Sequence, residues 1–197
     1  MATSKKKTSV EATEVLDDVI VAPEEEEKLD LKKVTPGTVR IDDNAVVNVK
    51  SNVFGELVYV DGRSREETRW DRCGSVQQMS FGSLRSMKAS AISFFKNQWV
   101  IMTGFADENA EKYTAADIYK ALFVTQYYKD LIEPSDYESV CSWSPAEIKQ
   151  KVSLMSAESK ANLVVALNIY IKKGILDSLK RIKTFEEVLG CELEMPE

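Results

Sequence analysis

Apolar positions along the chain change their period twice, and each change marks a change of element. The run Asn44 to Val49 (NAVVNV) is β-branched, and Glu56 to Val60 (ELVYV) is rich in β-branched and aromatic residues. Both read as strands. Asp61-Gly62 follows as a turn signal. The return run Glu67 to Arg72 (ETRWDR) alternates, so Thr68, Trp70 and Arg72 share one side and Glu67, Arg69 and Asp71 the other. With Ser75 to Phe81 (SVQQMSF) as a further run, the pattern predicts a small antiparallel sheet of three or four strands.

From Gly82 the period becomes helical. Ser83 is placed to cap a helix carrying Leu84, Met87, Ala91, Phe94 and Phe95. Trp99 to Met102 is short and apolar, either a buried strand or the helix exit, and Asp107 to Tyr113 is a polar loop. Thr114 with Asp117 resembles a capping box opening a helix with Ile118, Tyr119, Leu122 and Phe123. Ser144-Pro145-Ala146-Glu147 joins an N-cap, a first-turn proline and a third-position glutamate. Ser156 precedes a longer helix with a stripe of Leu163, Val164, Leu167, Tyr170 and Ile171, closed at Gly174. Thr184 to Glu187 (TFEE) reads as one more capping box, ended by Gly190.

The first 43 residues follow neither period. They hold no aromatic residue, an acidic run Glu24-Glu25-Glu26-Glu27, and Pro23 and Pro36. So little apolar surface does not offset the entropy of ordering. The segment is expected to be an arm, either disordered or draped on a partner through Val15, Val19, Ile20 and Val21. The fold class is therefore α+β. It comprises a flexible acidic arm (1–43), a small β-sheet with a following helix (44–104), and a helical subdomain of short capped helices (105–197). Charge divides the same way: the net is −4 in the first segment, +3 in the second and −5 in the third.

Composition narrows function mainly by exclusion. There are 197 residues and no histidine, which removes Ser-His-Asp and Cys-His systems and every histidine-ligated metal. Cys73, Cys141 and Cys191 are scattered, with no CxxC spacing, and read as reduced thiols. No GxxxxGK[ST] or GxGxxG segment occurs. Glu66-Glu67, Asp107-Glu108 and Glu186-Glu187 are adjacent carboxylates, and neighbours in sequence point apart on a strand or helix. The expectation is a protein that is not an enzyme, with no cofactor, metal or small-molecule substrate. Lys5-Lys6-Lys7 is not followed by an apolar stretch of the signal-peptide kind. No window approaches the roughly 18 apolar residues of a membrane span. Synthesis in a cytoplasm, with no membrane partner, is expected.

The net-positive segment concentrates Arg63, Arg65, Arg69, Arg72 and Arg85 around Tyr59 and Trp70. Interface centres favour Trp, Tyr and Arg, so Tyr59, Arg69, Trp70 and Arg72 form the candidate protein interface, with Trp70 as its anchor. The alternative is a nucleic-acid-binding regulator using the arginine- and aromatic-rich sheet of residues 56–85. A sequence pI near 5.0 and two acidic flanks disfavour a phosphate backbone as the partner.

Residues 56–101 carry an "xWxxxG" return strand (Arg69 to Gly74), a "QxMSFxxL" step (Gln77 to Leu84) and an "FFxNxW" helix end (Phe94 to Trp99). This succession resembles small virion-associated structural proteins of large tailed bacteriophages. Residues 156–192 look like the terminal helices of the same group. The resemblance carries no catalytic residue. It implies a structural or assembly protein of the phage neck, tail or baseplate, located in the virion and assembled in the host cytoplasm. The partners it implies are other virion proteins and copies of the chain itself.

Overall fold

The structure, a computed structural model, describes residues 40–194. The arm assigned to residues 1–43 therefore lies outside the described residues except for its last four. Those four are held. The Arg40 carbonyl accepts from the Tyr113 hydroxyl (3.2 Å), and Asp43 pairs with Arg85 at 2.7 Å.

Described residues form an α+β chain. The central strand β1 (Val46–Ser51) pairs antiparallel with β4 (Val76–Ser80) on one side and β5 (Val100–Phe105) on the other. Val47 and Val49 point into the core, both fully buried, as the β-branched alternation requires. The β1–β5 register slips between Asn48 and Val49, where Thr103 is the extra residue beside Gly104 (φ +150°), a bulge. A second ladder joins β2 (Leu57–Val60) to β3 (Glu67–Trp70). The two sheets meet where the Gln77 side-chain amide donates to the Arg69 carbonyl at 2.9 Å. Trp99 to Met102, left open by sequence, falls mainly in strand β5.

Helix α1 (Phe81–Ser90) begins before the position that Ser83 suggests. Its cap is Ser80, whose hydroxyl accepts from the Ser83 amide at 3.0 Å. The chain turns directly from β4 into the helix because the Gly82 amide bonds the Asp43 carbonyl (2.8 Å). A Cβ at Gly82 would sit 3.2 Å from that oxygen, tight enough that glycine suits the approach. Helix α2 (Ser93–Lys96) and α3 (Ala115–Leu122) complete this layer, α3 opening on the Thr114–Asp117 capping box. The stretch taken as a polar loop contains a 3-10 turn, Glu108–Glu111, capped by Asp107.

The helical part holds α4 (Tyr137–Val140), α5 (Pro145–Ser153), α6 (Ala157–Lys172) and α7 (Leu179–Leu189). Ser144–Glu147 forms the capping box on α5, and Ser156 caps α6. Gly174 (φ +71°) follows the α6 C-cap, Lys173, and Gly190 (φ +70°) is the αL cap of α7. Thr184 is not a cap. It lies inside α7, which starts after Ser178, and its hydroxyl donates to the Lys180 carbonyl at 2.8 Å. An S/T-x-x-E pattern within an amphipathic helix satisfies its hydroxyl on the preceding turn instead.

Two apolar cores result. One gathers the strands with α1, α2 and α3, and the other gathers α4 to α7. They divide near Leu131 and Ile132, later than the 104/105 change in charge, because Ile118, Tyr119 and Leu122 of α3 bury themselves in the first core. The cores are stitched together by polar groups. Gln98, 1% exposed and at φ +55°, donates from Nε2 to the Tyr127 carbonyl (2.7 Å) and accepts from the Ser159 hydroxyl (3.0 Å). Asn162 donates to the Asn97 carbonyl at 2.9 Å, and Lys50 pairs with Glu133 at 3.6 Å. Among the described residues no helix is long and apolar enough to cross a membrane.

Candidate interaction surface

The β2–β3 hairpin carries all four predicted interface residues or lies beside them, and it divides them sharply. Its turn is built on Asp61. The carboxylate accepts from the Arg63 amide (2.7 Å), the Ser64 amide (3.4 Å) and the Ser86 hydroxyl (3.1 Å), tying the turn to α1. The Arg63 amide, with the other donors, holds the Asp61 carboxyl below its usual range although the residue is buried. Arg65 takes φ +64° to complete the turn.

Period-two alternation then sorts the side chains. Leu57, Tyr59 and Trp70 face inward, while Val58, Val60, Glu67 and Arg69 face out. Trp70 is completely buried, and its indole Nε1–H donates to the Val49 carbonyl at 2.8 Å. Tyr59 is 4% exposed and stands edge-on to Phe94 at 5.6 Å, its hydroxyl without a hydrogen-bond partner. The assignment of Trp70 as an interface anchor is thereby corrected: an anchor must be reachable, and this indole is spent on the chain's own core. Tyr59 is corrected for the same reason.

Arg69 and Arg72 remain at the surface. Arg69 lies between Glu67 (2.8 Å) and Glu56, and the hydrogen bond to Glu67, then that to Glu56, raises its already high pKa. Arg85 is taken by Asp43. Arg63, Arg65 and Arg72 form no ion pair among the described residues. Between these charges stand Val58 (37% exposed) and Val60 (50%), which the sequence reading passed over because it looked for aromatics. Their signal was available: in a strand whose Leu57 and Tyr59 face the core, the intervening valines must face out.

A second concavity lies on the helical side. It encloses about 490 Å³ between Leu131, Val140, Trp143, Lys151, Leu154 and Met155, with Asp130 and Asp136 also on its wall. The Lys151 ammonium sits 4.2 Å from the Trp143 ring centroid, and Leu154 is largely exposed beside it.

No three Cys, Asp or Glu side chains converge on a metal-binding geometry among the described residues. Burial pushes the Cys73 and Cys141 thiols up to about 11, whereas Cys191 is exposed. Because the thiolate is the reactive form, a maleimide or disulfide reagent near pH 8 is expected to label Cys191 rapidly, half-buried Cys73 more slowly and buried Cys141 slowest. Fast labelling of all three in the folded protein would contradict the burial. Compared with known proteins, the chain matches no family model, no curated protein and no solved structure.

Proposed function

We propose that this chain is a structural or assembly protein that acts by binding other proteins, using the outer face of the β2–β3 hairpin. The observation that carries the reading is the composition of that face. Exposed Val58 and Val60 lie among Glu56, Glu67 and Arg69, the arginine pairing with both glutamates, with Arg63, Arg65 and Arg72 around them. A mixed apolar and charged patch with arginine is the makeup of a protein–protein contact. The resemblance to virion-associated proteins adds the setting, a tailed-phage particle assembled in the host cytoplasm, with other virion proteins as partners. No catalytic role is assigned.

The nucleic-acid alternative needs exposed aromatic rings for bases to stack on. Tyr59 and Trp70 are both turned inward, which weighs against it. Titration of the full chain with a single-stranded oligonucleotide at two salt concentrations, beside native mass spectrometry with candidate neighbouring virion proteins, tests the reading. Weak DNA binding is expected, with protein complexes weakened about tenfold or more by Val58→Asp. Tight DNA binding with a steep salt slope, flattened stepwise by Arg63→Ala, Arg65→Ala and Arg72→Ala, would overturn it.

A further inference from the structure

The strands form a lateral series, β2-β3 beside β4-β1-β5, with two outer edges. At the β5 edge, main-chain groups of Val100 and Met102 are taken by tyrosine side chains. The Met102 amide donates to the Tyr119 hydroxyl (2.9 Å), and the Tyr128 hydroxyl donates to the Val100 carbonyl (2.7 Å). Both tyrosines are buried and their rings meet edge-to-face at 4.7 Å.

Among the described residues nothing equivalent covers the β2 edge. The Asp61 amide donates to the Glu66 carbonyl at 2.9 Å, which fixes the hydrogen-bonding phase of the hairpin. Main-chain groups of Leu57, Tyr59 and Asp61 therefore point toward β3, and those of Val58 and Val60 point away from it. No group among the described residues pairs with the Val58 or Val60 main chain. Natural edges are usually blunted by a lysine, a proline, a bulge or a covering element. This one is short, four residues, but among the described residues it carries two half-exposed valines and no lysine, proline, bulge or covering element.

We propose that the β2 edge pairs antiparallel with the β2 edge of a second copy of the chain. This rests on the assembly reading above and specifies its partner. The edge is complementary to itself when reversed, which favours a second copy. Glu56, which also pairs with Arg69 of its own chain, stands at one end, and Arg63 and Arg65, without ion pairs among the described residues, lie just past the other. About a two-fold axis at Tyr59, Val58 falls opposite Val60 of the second copy. Glu56 falls opposite Gly62, one residue from Arg63 of the second copy. Both ends are then matched twice, as a two-fold contact requires. A parallel copy would set like charges side by side.

Sedimentation equilibrium of the full chain, kept reduced, from low micromolar to near-millimolar concentration gives the association state. Hydrogen exchange over the same range gives its location. Association is expected, with the Val58 and Val60 amides becoming protected as it proceeds. Val60→Pro removes an edge donor without touching the β3 ladder, and Val58→Lys places a charge on the edge. Each should weaken association about tenfold or more while leaving near-UV circular dichroism unchanged. Arg63→Glu, remote from the core, should weaken it less. A chain that stays monomeric throughout overturns the pairing. So does association in which the Val58 and Val60 amides keep exchanging freely or the edge variants associate normally. Either failure leaves the broader assembly reading to its own test with virion proteins.

Discussion

Replacing Trp70 by alanine is expected to lower the free energy of unfolding by about 3–5 kcal/mol, the range for deleting a large aromatic from a packed core. The indole is fully buried against the sheet, and its removal also strips the Val49 carbonyl of its side-chain donor. Trp70→Phe separates the two losses. It keeps much of the ring but not the donor, and should cost about 1–3 kcal/mol. Urea unfolding followed by far-UV circular dichroism reads both, since fluorescence would lose one of its three tryptophans. A Trp70→Ala protein of wild-type stability that fails only in association would restore Trp70 as an interface anchor.

The second large effect lies at the seam between the cores. Gln98→Ala removes the donor to the Tyr127 carbonyl and the acceptor for the Ser159 hydroxyl in one step. Ser159 keeps a longer bond to the Asp130 carbonyl (3.3 Å), so the Tyr127 oxygen carries most of the penalty. A loss of about 2–3 kcal/mol is expected. Because Gln98 sits at φ +55°, Gln98→Gly removes the same bonds yet relieves the left-handed backbone. It should be about 1 kcal/mol more stable than the alanine variant. Alanine and glycine variants of equal stability would mean that the backbone there is unstrained.

Most of the elements were legible because the residues that make them act locally. Thr114 with Asp117, Ser144 with Glu147, and Ser156 each bond within their own first turn, so the sequence spacing is the structure. Thr184 shows the limit: the same spacing recurs inside α7, and only the position of Ser178 upstream decides between cap and interior. The site was harder to read. Trp70 has Arg69 and Asp71 as neighbours, and that charge suggested a surface. In a strand, residues on either side of a position lie on the opposite face, so their charge says nothing about the position between them. The face was set by long-range partners, Val49 and Gln77, that no local pattern reveals. The division of the cores was hidden likewise, since α3 is acidic-flanked in sequence but packs beside β5.

The two tyrosines at β5 bear on how large an assembly built through strand edges becomes. A sheet open on both sides is a monomer in the polymer sense: each addition exposes a fresh edge, and growth has no end. With Tyr119 and Tyr128 holding the Met102 amide and the Val100 carbonyl on one side, strand addition there is disfavoured and each molecule is close to monofunctional in that direction. Pairing through the remaining side consumes it, and the reaction terminates at two. On the proposed edge pairing, the two hydroxyls would act as chain stoppers, holding the product at a dimer rather than a fibre.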